Sequence, residues 1–257
     1  MIKVKDLSFS YKDKEVLGGI NFEGGDGEVI CLLGPNGVGK TTLFQCMLKI
    51  LKPSKGSIFI SGQDIKNLKP SQMAKLIAYV PQSHNIVFNY RVIDVVLMGM
   101  TVNLKGGSPT SKDEEVAKGI LKSLGIESLA YRGYENISGG ERQLVLIGRA
   151  MAQNTKLLIM DEPTANLDYG NSIRVMREIT SLSKKGYTII ISTHNPEHGL
   201  LYAAKALVML NGVIDSFGEP SKIINSEMIK RIYKVSSTMV DIEAEGNNYK
   251  VCIPLLD

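Results

Sequence analysis

Residues Gly34-Pro35-Asn36-Gly37-Val38-Gly39-Lys40-Thr41-Thr42 follow directly on the apolar run "EVICLL". Glycine backbones can turn successive N–H groups inward and so form a nest for anionic oxygens. A helix opening at Lys40 would add its positive N-terminal end to that nest. The spacing fits G-x-x-x-x-G-K-[ST] between a strand and a helix, the context in which such a loop cradles the phosphates of a nucleoside triphosphate. Lys40 is then placed to reach the β- and γ-phosphates, and the Thr41 hydroxyl to ligate Mg²⁺. A glycine-rich turn carrying an incidental lysine would need neither flank.

Two further stretches carry chemistry. "LLIMDEP" ends an apolar run on adjacent carboxylates, Asp161 and Glu162. Buried carboxylates need compensation, and neighbouring side chains at a strand end project differently. Asp161 is therefore expected to serve Mg²⁺ and Glu162 to address an attacking water; the plainer alternative is an acidic pair capping the next helix. In "ISGGERQLVLIGRA", Ser138 and Glu141 form the S-x-x-E capping box. Gly139 and Gly140 then occupy the first two helical positions, where glycine weakens a helix by up to about 1 kcal/mol each. Bare amides there suit an anion arriving from outside, which makes this a second phosphate-binding surface.

The elements that must position these residues can be read from periodicity. "IKVKDLSFSY" alternates, "VLGGINFEG" continues as strand, and "EVICLLG" is apolar throughout, as in a central parallel strand. "KTTLFQCMLKIL" switches to a helix that stops at "KPSKG", and "SIFISGQDI" returns to strand. Residues from about 83 to 156 read as mostly helical. "KLLIMDEP" and "YTIIISTH" are strands separated by a helix, the alternation of a parallel sheet with crossovers. "ALVMLNGVIDSFGEP" reads as a hairpin, followed by one helix around "SKIINSEMIKRIY" and a strand-like tail.

The bulk properties exclude other classes. The chain has 257 residues, 44% hydrophobic and 22% charged, with a net charge of +4. Its lysines are dispersed; "LKPSKG" and "SLSKKG" read as solvated loops, and no basic stripe points to nucleic acid. The three cysteines form no CxxC pair, and Cys31 and Cys46 are expected in the core. The longest apolar runs are strand-length, well under the ~20 residues of a membrane span, and "MIKVKDLSFSY" lacks a signal-peptide h-region. A soluble, cytoplasmic protein is expected, reaching a membrane only through a partner.

"SGGERQ", placed shortly before "LLIMDEP", resembles the signature motif of ABC-type ATPases, and the resemblance spans essentially the whole chain. It implies an α/β fold: a P-loop NTPase with a mostly parallel RecA-like sheet, an N-terminal antiparallel β subdomain and an inserted helical subdomain. The whole of 1–257 would be one ABC ATPase domain, with the helical part at about 83–156 and a short C-terminal extension at about 219–257. It further implies a head-to-tail homodimer in which each ATP, with Mg, lies between one P-loop (Gly34 to Thr42) and the partner's Ser138, Gly139, Gly140 and Glu141. Tyr11 matches the aromatic that stacks on adenine, although taken alone it could equally be a packing residue. Gln82 in "YVPQ" matches the glutamine that reaches Mg²⁺ and the attacking water, Asp168 in "ANLD" the D-loop, and His194 the switch histidine. The resemblance thus makes Glu162, His194, Gln82 and Lys40 the catalytic set and Thr41, Gln82 and Asp161 the Mg set. His84 and His198 have no such match and are expected at the surface. Departures from the pattern are Glu141 for the commoner Gln, Asn195 for Asp, and "GGDGE" for a Pro-Gly-Glu turn.

The segment after Gln82 and the tail after "IKRIYKV" resemble importers of metal chelates: iron-siderophore, haem, cobalamin, and molybdate or tungstate systems. Arg91 stands where those relatives often have Thr. The resemblance implies an ATPase pair on the cytoplasmic face of the membrane, driving a permease dimer that an extracytoplasmic solute-binding protein feeds. A soluble assembly ATPase or an exporter subunit would share the same motifs. Ile86, Val87, Phe88, Val92 and Val95 could line a groove for the permease, or form ordinary helical core.

Overall fold

The computed structural model describes residues 1–82, 89–104 and 108–255. Strand β3 (Val29–Leu33) comes from the unbroken run "VICLL" and is buried along its whole length. Its side chains alternate between two cores, as the period of a strand requires: Ile30 and Leu32 enter one, Val29, Cys31 and Leu33 the other.

On the first side lies an antiparallel sheet of β1 (Ile2–Tyr11), β2 (Lys14–Gly24), β4 (Lys55–Ile60) and β5 (Gln63–Asp64), in the order β2-β1-β4-β5. Ile2, Val4, Leu7 and Phe9 of β1 pack there with Leu43, Phe44 and Met47 of helix α1 (Lys40–Met47). This helix ends four residues before the expected Leu51. Lys49 takes a left-handed φ of 59°, and the N–H groups of Ile50 and Leu51 both turn back to the Gln45 carbonyl, closing the helix end with its own backbone.

The larger sheet contains β6 (Ile77–Val80), β7 (Leu157–Met160), β8 (Thr188–Thr193), β9 (Lys205–Leu210) and β10 (Val213–Gly218). Its order is β10-β9-β3-β8-β7-β6, parallel except for the β9–β10 hairpin. Cys31 and Cys46 lie in the cores as expected.

Helices cover the second core. After the short α2 (Pro70–Met73) come α3 (Val92–Met100), α4 (Ser111–Ser123) and α5 (Gly139–Ala152), followed by α6 (Tyr169–Lys184) and α7 (Pro196–Tyr202). Val92 and Val95 are fully buried between these helices, so of the two readings, groove or helical core, the core holds for both: α3 turns its apolar face to α5, not to solvent. Ile86, Val87, Phe88 and His84 lie outside the described residues. The "SLSKKG" segment is also not all loop, since it begins in the last turn of α6.

The single helix expected near the C-terminus is two, α8 (Pro220–Ile223) and α9 (Ser226–Tyr233). Asn225 between them is extended and accepts the Met228 N–H as a cap, which restarts the helix. Strands β11 (Ser237–Ala244) and β12 (Asn247–Pro254) form a hairpin that, among the described residues, pairs only with itself. Among the described residues no helix is long and apolar enough to cross a membrane.

Candidate nucleotide site

The strand order brings four sequence-distant segments to one edge. β3, β8, β7 and β6 are adjacent and parallel, so the segments leaving their carboxyl ends emerge side by side. These are the loop from Gly34, then His194, then Asp161-Glu162, then Gln82. The carboxyl ends of adjacent parallel strands are the usual location of a ligand crevice in a sheet of this kind. A cleft of about 320 Å³ opens there, lined by Val16, Gly37, Lys40, Thr41, Gln82 and Glu162 among others.

Gly37 and Gly39 both have positive φ, 79° and 110°. At Gly39 a side chain would have no room, since a Cβ would stand 2.9 Å from Leu17 Cδ2 and 3.2 Å from the Val16 carbonyl oxygen. The loop delivers the first turn of α1 to the cleft, and Asn36, Gly39 and Thr42 complete its lining; Val38 is turned inward and buried. Lys40 folds over the loop, its Nζ donating to the carbonyls of Gly34 (2.7 Å) and Pro35 (3.2 Å). Only 6% of the Lys40 side chain is exposed. Burial lowers its pKa, while Glu162 and Asp161 pull it back up. A buried ammonium held by two neutral carbonyls, at a helix N-terminus, fits a polyphosphate well.

Asp161 is buried at the floor of the site. Its Oδ2 accepts from the Thr41 hydroxyl at 2.9 Å and from Tyr79 Oη at 3.5 Å, and its Oδ1 accepts from the Ser192 hydroxyl at 2.5 Å. Burial, with Asp161 adding to it, pushes the Tyr79 phenol up to about 12. Among the described residues no cluster of three His, Cys, Asp or Glu side chains is arranged around a metal position. One carboxylate beside one hydroxyl is the donor set of a Mg²⁺ that takes its remaining ligands from water and phosphate, so Thr41 and Asp161 fit that ion.

Glu162 follows with a left-handed φ of 44°, a conformation that costs a non-glycine residue about 1–2 kcal/mol. Its N–H donates to Ser192 Oγ at 2.9 Å. Its carboxylate faces the cleft: Oε2 accepts from Gln82 Nε2 at 3.1 Å and lies 3.6 Å from His194 Nδ1, and Oε1 is 3.9 Å from Lys40 Nζ. His194 itself is 61% exposed and so is free to meet a ligand. The alternative of an acidic pair capping the next helix does not apply, because the cap of α6 is Asp168.

His198 corrects the sequence reading. It is buried, not superficial, and its Nδ1 pairs at 3.0 Å with Thr193 Oγ1, which also accepts the Asn195 N–H. Burial, aided by the nearby His194, lowers its pKa to about 4, so it is a neutral support beneath the His194 turn. Helix α7 places residue 198 against the sheet, which no local pattern announced.

The other candidates form a separate group. Ser138 caps α5, accepting the Glu141 N–H, while Glu141 Oε2 accepts the Ser138 N–H at 2.8 Å. Gly139 and Gly140 open the helix as the spacing predicts. Gly140 has a packing reason too: a Cβ there would stand 2.4 Å from Asn171 Cγ. Asn171 in turn donates from its backbone and side chain to Asp168, at 2.8 and 2.7 Å, so the start of α5 and the Asp168 turn are one packed unit. None of residues 138–141 lines the cleft. Tyr11 ends β1, is 48% exposed, and meets Phe9 edge-on at 4.8 Å; it too is absent from the lining. Ser192, Tyr79 and Val16 escaped the sequence reading. For Ser192 a signal existed, since a hydroxyl inside the apolar run "TIIIST" must find a buried partner.

Comparison with known proteins agrees with this geometry. The ABC transporter family model matches residues 17–165. A probable iron chelatin transport ATP-binding protein of Helicobacter pylori is 39% identical over 199 residues, 76% of this chain and 78% of that one. An energy-coupling factor transporter ATP-binding protein of Methanocaldococcus jannaschii is 38% identical over 229 residues, 88% of this chain and 81% of that one. A solved structure described as an inward-facing conformation of a putative metal-chelate type ABC transporter superposes with a TM-score of 0.88 at 31% identity, covering 99% of this chain and 97% of the other. With a family model over more than half of the chain and relatives above 30% identity that cover more than two thirds of it, the chain belongs to the ABC transporter family as an ATP-binding, ATP-hydrolysing subunit.

Proposed function

We propose that this subunit powers an importer of metal chelates (iron-siderophore, haem or cobalamin) or of molybdate or tungstate, working as a head-to-tail pair beneath a permease dimer at the cytoplasmic face of the membrane. The observation that carries the pairing is the separation of the Lys40 cleft from the glycine-opened start of α5. The Lys40 cleft contains no residue of 138–141, so a nucleotide held there leaves the glycine-opened end of α5 free for the nucleotide of a second copy. The iron chelatin and metal-chelate names of similar proteins support the choice of cargo class. On this reading the chain is one cassette, with helices α3, α4 and α5 serving as the arm that presents Ser138.

Within the site, each residue has a task that its geometry suits. The loop amides and Lys40 bind the triphosphate, and Lys40 exchanges its two carbonyl partners for phosphate oxygens. Thr41 and Asp161, with Gln82 at the rim, hold Mg²⁺, which when bound draws charge from the β- and γ-phosphate oxygens. Glu162 accepts the proton of the attacking water and is oriented by Gln82. His194 steadies charge at the γ-phosphate, and Asp168 supports the partner-facing helix end. Tyr11 is placed to flank the base. The work is positioning and electrostatics rather than covalent chemistry.

A groove of about 530 Å³ between α1, α2, α3 and α5, lined by Leu48, Ile50, Pro70, Met73, Met98 and Val102, offers the permease a docking place. Ile50 and Met98 are exposed there. Tyr79 lines the same groove and reaches Asp161 with its hydroxyl, so occupancy of the groove is linked to the Mg²⁺ carboxylate by one side chain.

The test is affinity capture of tagged protein from detergent-solubilised native membranes. A co-purifying permease with many apolar spans, accompanied by a chelate-binding protein, supports the importer. Capture of soluble partners alone, with ATP hydrolysis intact, would assign the subunit to a non-transport role.

A further inference from the structure

We infer that Ser192 is a positioning residue for hydrolysis, a buried hydroxyl that locks the metal carboxylate and the general base to each other. The inference rests on the reading of Glu162 as base and Asp161 as metal ligand.

Three observations converge on one oxygen. Ser192 is fully buried inside β8, so its hydroxyl has no water to turn to. The Oγ donates its single proton to Asp161 Oδ1. The same Oγ accepts the backbone N–H of Glu162 at 2.9 Å. A hydroxyl has one proton to give and lone pairs to receive, and here both directions are committed, one to each of two consecutive acidic residues. Glu162 stands in the left-handed region at φ 44°, which a residue with a side chain holds only when its surroundings fix it. The Ser192 bond to its N–H is a fixing contact at that peptide. It sets the direction in which the Glu162 side chain leaves β7, toward Gln82 and His194.

The arrangement also divides the Asp161 carboxylate. Oδ1 is taken by Ser192, while Oδ2 faces Thr41 and Tyr79. One oxygen is thereby anchored to the neighbouring strand, and the other is turned to the hydroxyl beside which Mg²⁺ would sit. Because β7 and β8 pair in parallel, with Met160 opposite Ile191, the residues that follow in each strand, Asp161 and Ser192, fall level with each other. The register therefore makes the contact.

The test is ATP hydrolysis by Ser192→Ala, Ser192→Thr and Ser192→Cys in the wild-type background, and by Ser192→Ala in the Glu162→Gln background. Losing an orienting hydrogen bond of ordinary strength is expected to lower kcat by about tenfold, with KM for ATP within about twofold. Thr, which keeps the hydroxyl and suits a strand, should restore most of kcat. Cys, close in size but a weak donor and acceptor, should behave like Ala, and it carries the test if the Ala variant does not fold. If Ser192 acts through Glu162, Ser192→Ala should add little to the loss already caused by Glu162→Gln. Two results would overturn the proposal: wild-type kcat in folded Ser192→Ala or Ser192→Cys, or a tenfold loss repeated in full on top of Glu162→Gln. A wild-type rate in Glu162→Gln alone would instead remove the reading of Glu162 on which the proposal rests, so the two failures are told apart.

Discussion

Replacing Glu162 by Gln keeps the size of the side chain and one carbonyl oxygen while removing the negative charge and the proton-accepting capacity. Glu162 is 13% exposed and its Oε1 lies 3.9 Å from Lys40 Nζ. A pair of unit charges at that separation attracts by about 4 kcal/mol at an effective dielectric constant of about 20. The same carboxylate faces the cleft where the γ-phosphate would lie, so its charge both competes for Lys40 and repels the ligand. Neutralising it frees Lys40 for phosphate. ATP affinity is therefore expected to be unchanged or to rise by up to about tenfold, a third of that Coulomb energy. Hydrolysis should fall by about 10²–10⁴-fold, the worth of a positioned base, or about 3–5.5 kcal/mol on the barrier. The assay pairs phosphate release under saturating Mg-ATP with titration of a fluorescent ATP analogue, and size-exclusion chromatography with ATP should show a stable dimer. Hydrolysis within about threefold of wild type would refute the assignment of the base. Binding and hydrolysis lost in parallel would instead mean that Glu162 shapes the site and does not act in the reaction.

Other expectations follow from the same geometry. Gly140→Ala places a Cβ 2.4 Å from Asn171; the overpacking should cost about 1–3 kcal/mol in urea unfolding and weaken ATP-dependent dimerisation, and unchanged values of both would sink the packing argument. Ile50→Asp, on a residue 66% exposed in the groove, should leave basal ATPase intact while abolishing permease co-purification; undiminished capture would move the dock elsewhere. His198, with its pKa lowered from 6.5 to about 4 by burial, takes up its proton more readily unfolded than folded between those values. Stability contributed by the neutral ring is thus present above about pH 6.5 and lost as pH falls toward 4, by about 3 kcal/mol. Denaturant unfolding at pH 7 and pH 4 should show that extra loss in wild type and not in His198→Phe; equal slopes would mean that the ring titrates normally.

How much of this was legible in the chain can be judged residue by residue. The phosphate loop was, because its chemistry depends on glycines, a lysine and a hydroxyl consecutive in sequence, and a loop between one strand and one helix folds locally. The capping box at Ser138 was legible for the same reason, and both contacts are within three residues. The apolar runs fixed which strands are buried on both faces, since only a covered parallel sheet tolerates "VICLL" or "TIII" without alternation. What failed were features in which backbone closure or burial overrode pattern. The early end of α1 depends on Lys49 turning left-handed, and the break before α9 on an Asn225 cap. His198 was misplaced because periodicity names an apolar or polar face and does not say which neighbour covers it, and for the same reason Val92 and Val95 stood open between groove and core until α3 was seen to pack on α5.

The sequence by itself therefore determined the chemistry: which short segments can hold phosphate, which carboxylates stand together, and where the parallel strands lie. Tertiary structure alone decided how those segments meet. The order β3-β8-β7-β6 brings together four strand ends spread from Gly34 to His194: segments after β3, β7 and β6 line one cleft, and His194 after β8 stands 3.6 Å from the Glu162 carboxylate. The β7–β8 register sets Ser192 beneath Asp161 and Glu162. It also left the start of α5 outside that cleft, packed on Asn171. Each of these results from strand pairing and close packing between segments far apart in the chain, and such contacts are set by the whole arrangement of cores and crossovers, not by any local run of residues.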